Sequence, residues 1–245
     1  MDNNKSRSTI KTAVIIAGGL GTRLRPVTYT TPKPLIMIRN KTLLECVIDK
    51  VLEAKVKHIF LSIGYLHDKI ISFVNNIKSS YPYVDFHFLV EDKPLGTAGW
   101  LNLISNKEKS KYFNEEFIVV NGDNLFDLDW ELFANAAKGA ATIALTPVED
   151  VSAYGVAKLN NGKIEAFVEK PDAESAPSNK INSGYYILSP AVFGFAKNKK
   201  KLMFETDIFP ALAKQGQLYY YIDNAKWFDT GTFERWKRAS DEWKS

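Results

Sequence analysis

Apolar positions recur along this chain in two rhythms, and the point where one gives way to the other divides it. In the first part, four apolar runs at 13–17, 57–64, 84–90 and 116–120 are dense in β-branched and aromatic residues and read as buried strands. Between them the apolar residues return every three or four positions. Leu43, Leu44, Val47, Ile48, Val51 and Leu52 form one face of a helix over 42–54, opened by the capping box of Thr42 and Glu45. Further helices are expected at 68–77 and 97–104. Strands alternating with helices predict parallel β-α-β units with helices on both faces of a sheet.

Beyond Asp123 the rhythm shortens. Four strand-like runs, 140–147, 154–159, 163–169 and 180–188, follow with little helix between them, and Asn160-Asn161-Gly162 suits a hairpin turn joining the middle two. Residues 171–179 form a polar, proline-bearing loop. Helices at 190–196 and 204–214, a strand at 217–222 and a helix at 232–243 complete the pattern. The expected fold class is α/β: a Rossmann-like, doubly wound mixed sheet, mostly parallel, with antiparallel strands in its second half forming a lid over a ligand crevice. One domain is expected over 11–245, in halves 11–123 and 124–245, after a loosely held terminus at 1–10.

Composition narrows the class without naming a chemistry. A content of 45% hydrophobic and 24% charged residues is ordinary for a globular protein, and the net charge of +4 is mild. It suits a small anionic substrate; Lys197, Lys199, Lys200 and Lys201 form the one basic cluster, read as a solvated helix end rather than a nucleic-acid arm. The single cysteine, Cys46, excludes a disulfide framework within the chain and points to a reducing compartment. With neither a signal-peptide core nor a long apolar run, a cytoplasmic protein with no membrane or nucleic-acid partner is expected.

The chemistry concentrates at residues 13–34, AVIIAGGLGTRLRPVTYTTPKP. A buried strand runs into Gly18, Gly19 and Gly21, where the backbone can turn without a Cβ and bring its N–H groups close to a phosphate. Arg23, Arg25 and Lys33 add positive charge. Leu24 replaces the last glycine of GxGxxG, and no lysine stands where GxxxxGK[ST] requires one, so neither familiar phosphate motif applies. A plain strand-to-helix turn would explain the glycines but not the cations or the prolines.

This stretch resembles the signature of the sugar-phosphate nucleotidyltransferases, GGxGxRLxPxTxxxPKP, and departs from it at no fixed position. On residues alone, Asp123 suits either a metal or a turn, and Asp229 and Thr232 suit a turn and the N-cap of the last helix. The resemblance implies that Asp123 (Gly-Asp) and Asp229 (Trp-x-Asp-x-Gly-Thr) ligate Mg²⁺. It implies nucleotide contacts from Ala17, Gly18, Gly19, Gly21, Thr22 and Arg23, and from Glu91, Pro94, Gly96 and Thr97 in the base-reading loop. Lys33 is assigned to the α-phosphoryl region and leaving group. Glu169-Lys170-Pro171, otherwise an ordinary strand end, is similar to a motif that holds the sugar and its phosphate; Gly155, Asn182 and Trp227 join that side. Arg23, Lys33, Asp123 and Asp229 are the expected catalytic set.

Two substrates are therefore expected, a nucleoside triphosphate and a sugar 1-phosphate. Glu91 tilts the base toward guanine, because a carboxylate only accepts and guanine offers two neighbouring donors. The Glu-x-x-Pro-Leu-Gly-Thr loop is similar to that of guanylyltransferases for mannose 1-phosphate and heptose 1-phosphate, so GTP is the preferred donor. A uridylyl- or thymidylyltransferase and a non-catalytic sensor of nucleotide sugars are the alternatives, and assembly into a homo-oligomer stays open. The three histidines lack metal-ligand spacing and read as core or surface residues.

Overall fold

The computed structural model describes residues 9–196 and 201–244. Residues 1–8 of the expected loose terminus, and Lys197, Lys199 and Lys200, lie outside them. Ile10 does not fit a loose terminus: it is buried in the core.

The chain runs β1 (Thr12–Ile16), a small hairpin β2 (Met37–Ile38) and β3 (Lys41–Thr42), α1 (Leu43–Leu52), β4 (His58–Ile63), α2 (His67–Ile77), β5 (Asp85–Val90), α3 (Asn106–Tyr112), β6 (Phe117–Asn121), β7 (Asn124–Phe126) and α4 (Trp130–Ala136). It continues with β8 (Ala141–Pro147), β9 (Gly155–Asn160), β10 (Lys163–Glu169), β11 (Lys180–Leu188), α5 (Phe209–Lys214), β12 (Leu218–Ile222), β13 (Trp227–Asp229) and α6 (Phe233–Glu242). Nine strands form one sheet in the order β5-β4-β1-β6-β11-β8-β12-β10-β9, and β9 also meets β11 at Val156 and Ile181.

The α/β fold and the mixed sheet agree with expectation, but a mostly parallel sheet does not. Among the described residues β5, β4, β1 and β6 are parallel, as are β8 and β12, giving four parallel pairings. Five are antiparallel. The cause is β11, which runs against both β6 and β8, and the tight β9–β10 hairpin, which forces reversal.

Strand alternation builds the two apolar layers. Ala13 and Ile15 of β1 face the layer that holds α1 and α2 through Leu44, Val47, Val51, Ile70 and Val74. Val14 points the other way, into a layer with Trp100, Phe113, Phe204 and Phe209. Each large side chain buried there contributes roughly 1.5–3 kcal/mol relative to exposure.

Local chemistry sets the helix ends. Thr42 N–H donates to Glu45 Oε2 at 2.8 Å and Thr42 Oγ1 accepts from Glu45 N–H at 3.2 Å, so α1 has the expected capping box, though it covers 43–52 rather than 42–54. Ser105 and Glu108 open α3 in the same way. That helix was not anticipated, because NKEKSKY carries no apolar stripe. Nor was α4, whose Asp129 side chain caps Leu132 N–H at 2.9 Å.

The helix expected over 97–104 shrinks to a 3-10 turn at Gly99–Asn102. Ala98 N–H donates instead to Leu202 O at 3.0 Å, drawing the segment across to a distant part of the chain. Residues 190–195 also wind as 3-10 turns rather than an α-helix, and 204–214 opens with a π-turn at Phe204–Ile208 before α5. Pro210 lacks the N–H that a continuous α-helix would need there. No helix among the described residues is long and apolar enough to cross a membrane.

Cys46 is buried on α1, and burial first, then the charge of Asp49, pushes its thiol up to about 11. Because the thiolate is the reactive form, native protein at pH 8 should react with a disulfide reagent at least about tenfold more slowly than protein in denaturant, as followed by absorbance.

Candidate functional site

The carboxyl end of β1 opens the glycine loop. Gly21 sits at φ +61°, and a Cβ there would lie 2.9 Å from Thr28 Cγ2 and 3.2 Å from Lys33 Cβ, so the turn requires glycine. Thr28 Oγ1 donates to Gly21 O at 2.8 Å and fixes it. Gly19 differs: nothing lies within 4 Å of a Cβ built on it, and its backbone faces open space.

Across from that backbone, Lys33 Nζ lies 2.6 Å from Asp123 Oδ2; the lysine side chain is 10% exposed and the aspartate 42%. A cation so nearly buried needs its partner. Ala17, Gly19, Lys33, Thr97 and Asp123 together line a crevice of about 220 Å³. Ile16, Pro34, Asn121 and Gly122 also line it, and none of them is among the expected site residues. Asn121 precedes Asp123 by two positions, and that was the available signal; its Oδ1 is buried without a hydrogen-bond partner.

The backbone at Asp229 comes beside Asp123 from near the other end of the chain, while the Asp229 side chain lines a separate cavity. β13 pairs antiparallel with β7, Asp229 opposite Asn124. Thr230 then donates twice to Asp123 O, from its N–H at 3.2 Å and its Oγ1 at 2.8 Å. The backbones of the two aspartates are thus locked side by side. Asp229 Oδ1 accepts from Gly231 N–H at 2.6 Å and Oδ2 accepts from Arg235 Nη1. Thr232 serves as the N-cap of α6, accepting from Arg235 N–H at 3.3 Å. Arg23 packs beside Gly231, where a Cβ would come within 2.8 Å of its Nη2. Arg25 is exposed and lies over the Tyr29 ring, 5.0 Å from its centroid.

Asp123 and Asp229 offer hard oxygen donors, the type that Mg²⁺ takes. Among the described residues no group of three metal-ligating side chains exists, so a cation here would complete its shell with water and substrate oxygens.

The residues expected on the sugar side gather around Tyr154. Gly155 faces Glu169 across the β9–β10 register. Lys170 sits at φ +45°, uncommon for a residue with a Cβ, and its N–H donates to Tyr154 O at 2.9 Å. Its ammonium lies 3.6 Å from Glu169 Oε1; with side chains 63% and 72% exposed, that pair contributes little. The Tyr154 ring meets Trp227 edge-on at 5.6 Å and carries the Arg235 guanidinium at 5.0 Å. Trp227 Nε1 donates to Ser183 O at 2.9 Å, and Asn182 holds Gly184 N–H at 2.9 Å and the Tyr186 hydroxyl at 3.1 Å. No sequence motif pointed to Arg235.

Glu91 is partly committed within the chain. Its Oε1 accepts from Ser62 Oγ at 2.7 Å and its Oε2 from Leu95 N–H at 2.9 Å, with Gly18 alongside. Of the expected nucleotide residues, Gly18, Gly21, Thr22, Arg23, Glu91, Pro94 and Gly96 do not line the crevice; Thr22 opens a 3-10 turn next to Gly21. A larger cavity of about 570 Å³, lined by Asp229 with Tyr154, Trp227 and Arg235, shares no lining residue with the crevice. The smaller one holds the glycine-loop backbone and the Lys33–Asp123 pair, so chemistry rather than size selects it. The histidines keep structural roles: His87 stacks on Phe60 at 4.3 Å, and burial, then His58, lowers its pKa.

A family model described as nucleotidyl transferase matches residues 12–245. Mannose-1-phosphate guanyltransferase beta-A of Xenopus laevis is 38% identical over 226 residues, covering 89% of this chain and 61% of that protein. A UTP--glucose-1-phosphate uridylyltransferase of Synechocystis sp. is 33% identical over 247 residues, covering 95% of this chain and 62% of that protein. The chain therefore spans under two thirds of both relatives. Among solved structures, HddC from Yersinia pseudotuberculosis complexed with GMP-PN superposes with a TM-score of 0.78 at 32% identity, covering 96% of this chain and all of that one.

Gly231→Ala tests the packing of Arg23. The added methyl would meet only the ends of Arg23 and Asp229, so stability should stay within about 1 kcal/mol by thermal denaturation.

Proposed function

Because the chain belongs to the nucleotidyl transferase family, we propose that it joins a nucleoside triphosphate to a sugar 1-phosphate, giving a nucleoside diphosphate sugar and pyrophosphate. One observation carries this reading: the Lys33–Asp123 pair shares a crevice with Gly19 of the glycine loop, and Thr230, next to Asp229 in the chain, bonds to the Asp123 carbonyl.

The nucleophile, a phosphate oxygen, is already ionised near neutral pH, so no catalytic base is needed. The task is to hold two anions in line and to neutralise charge on the departing pyrophosphate. Arg23 and the Gly19–Thr22 backbone bind the triphosphate. Lys33 neutralises charge at the α-phosphoryl and leaving-group oxygens, and Lys170 holds the sugar phosphate. Asp123 and Asp229 would hold Mg²⁺, which supplies further charge neutralisation when bound. The β9–β10 end, with Gly155, Glu169, Asn182 and Trp227, serves as the sugar-side lid. The single buried Cys46 suits a reducing cytoplasm.

GTP is the preferred nucleotide, with mannose 1-phosphate or a heptose 1-phosphate as acceptor. The acceptor-only carboxylate of Glu91 supports the base, as do the guanyltransferase name of the Xenopus relative and the GMP-PN of the Yersinia complex. The Synechocystis uridylyltransferase favours a second reading, UTP with glucose 1-phosphate.

A matrix of nucleoside triphosphates against mannose, heptose, glucose and N-acetylated sugar 1-phosphates with Mg²⁺ should release pyrophosphate fastest with GTP. Silence in every well would leave only a sensing role. Asp123→Ala and Arg23→Ala should each lose at least about 100-fold in turnover with the circular dichroism spectrum unchanged, and near-normal rates would sink the assignment. Glu91→Gln should narrow the preference for GTP over UTP, and an unchanged ranking would remove Glu91 from base reading.

A further inference from the structure

Residues 94–99 are assigned to the nucleotide, yet their position is set by a segment more than a hundred residues away. Leu202 N–H donates to Leu95 O at 2.8 Å, and Ala98 N–H returns a bond to Leu202 O. Gly96 at φ +90° permits this approach, since a Cβ there would sit 2.4 Å from Leu202 O. Beside that exchange, the Thr97 hydroxyl donates to Glu205 Oε2 at 2.7 Å and accepts from Phe204 N–H at 2.9 Å. Thr97 itself lines the crevice. Glu205 stands on the π-turn whose Phe204 is fully buried and stacks on Phe209 at 5.3 Å, so the acceptor is carried by a fixed support.

We propose that Glu205 is a positioning residue for the nucleotide, acting through Thr97 to hold the 94–99 loop at the rim of the crevice. The inference rests on the transferase reading above. From the opposite side Glu91 ties the same loop by accepting Leu95 N–H. Two carboxylates therefore hold the loop in addition to the Leu202 backbone, Glu91 from just before it and Glu205 from 108 residues beyond Thr97. Removing Glu205 leaves the Thr97 hydroxyl without its acceptor and loosens the loop where Thr97 lines the crevice. The acceptor, rather than its charge, is what the geometry requires.

Two measurements on Glu205→Ala, Glu205→Gln and Thr97→Val test this. The first is hydrogen exchange of a peptide spanning 91–101 in the ligand-free protein. The second is GTP titration by calorimetry with no sugar phosphate present. Glu205→Ala and Thr97→Val should each weaken GTP about tenfold and speed exchange of the peptide, and the double variant should be no worse than the poorer single one. Glu205→Gln, whose amide oxygen still accepts, should recover most of both losses. In steady state, KM for GTP should rise while kcat at saturation changes less than about threefold. GTP affinity within twofold of wild type in Glu205→Ala and Thr97→Val overturns the inference, as does a Glu205→Gln protein as weak as Glu205→Ala. If Glu205→Ala does not fold, exchange of the 91–101 peptide in ligand-free Thr97→Val decides, because it does not depend on any direct contact of Thr97 with the nucleotide; exchange at the wild-type rate then overturns the inference. A wild-type protein that binds GTP but releases no pyrophosphate with any sugar phosphate refutes the transferase reading and leaves the loop inference to these variants.

Discussion

Carboxylates brought into one partly buried region repel each other unless cations and donors answer them, and that constraint organises this site. Asp123 has Lys33, and Asp229 has Arg235 and the Gly231 N–H. Gly231 and Arg235 lie within six residues of Asp229, whereas Lys33 reaches Asp123 from 90 residues away. The Asp123 pairing therefore depends on the strand ends β1 and β6 being in place, and the Asp229 pairing on β13 running directly into α6. The bonds from the Thr230 N–H and hydroxyl to Asp123 O fix the backbone on either side. A site of this kind is assembled by the fold as a whole.

Sequence periodicity resolved what depends on neighbours along the chain. The nine strands of the main sheet, α1 with its capping box, and the Asn161-Gly162 turn follow from side-chain pattern and from bonds spanning three residues or fewer, whereas the short strands β2, β3, β7 and β13 carry no such pattern. Asp123 and Asp229 stand out in the sequence only through the family resemblance, since on residue type alone each also suits a turn; their backbone proximity comes from the β7–β13 pairing. Periodicity was silent on α3, which has a cap but no apolar face. It misjudged 97–104, where apolar residues at helical spacing are held by bonds to Leu202 rather than by a helix. Glu205 meets Thr97 across 108 residues, and no local pattern encodes such a contact; Arg235 stands six residues from Asp229, but no motif in the sequence marks it.

Glu91 shows how one side chain answers two demands. Its oxygens fix Ser62 and the start of the 94–99 loop, and each oxygen keeps a lone pair beyond the hydrogen bond it accepts. Substitution there alters loop geometry and base contact together. The ranking of nucleotides is then a cleaner measure of base reading than the rate with any single one.

The meeting of Val156 with Ile181 has a consequence for how the molecule behaves in a crowd. A sheet ordinarily ends in two open margins, each a template on which a strand from another molecule can add. Here β9, last in the order, is turned back onto β11, so an intruding strand would have to displace a bond already made. The opposite margin, β5, begins with Asp85 and carries the imidazole of His87, and it is the place where pairing between molecules would start if the protein were pushed toward aggregation.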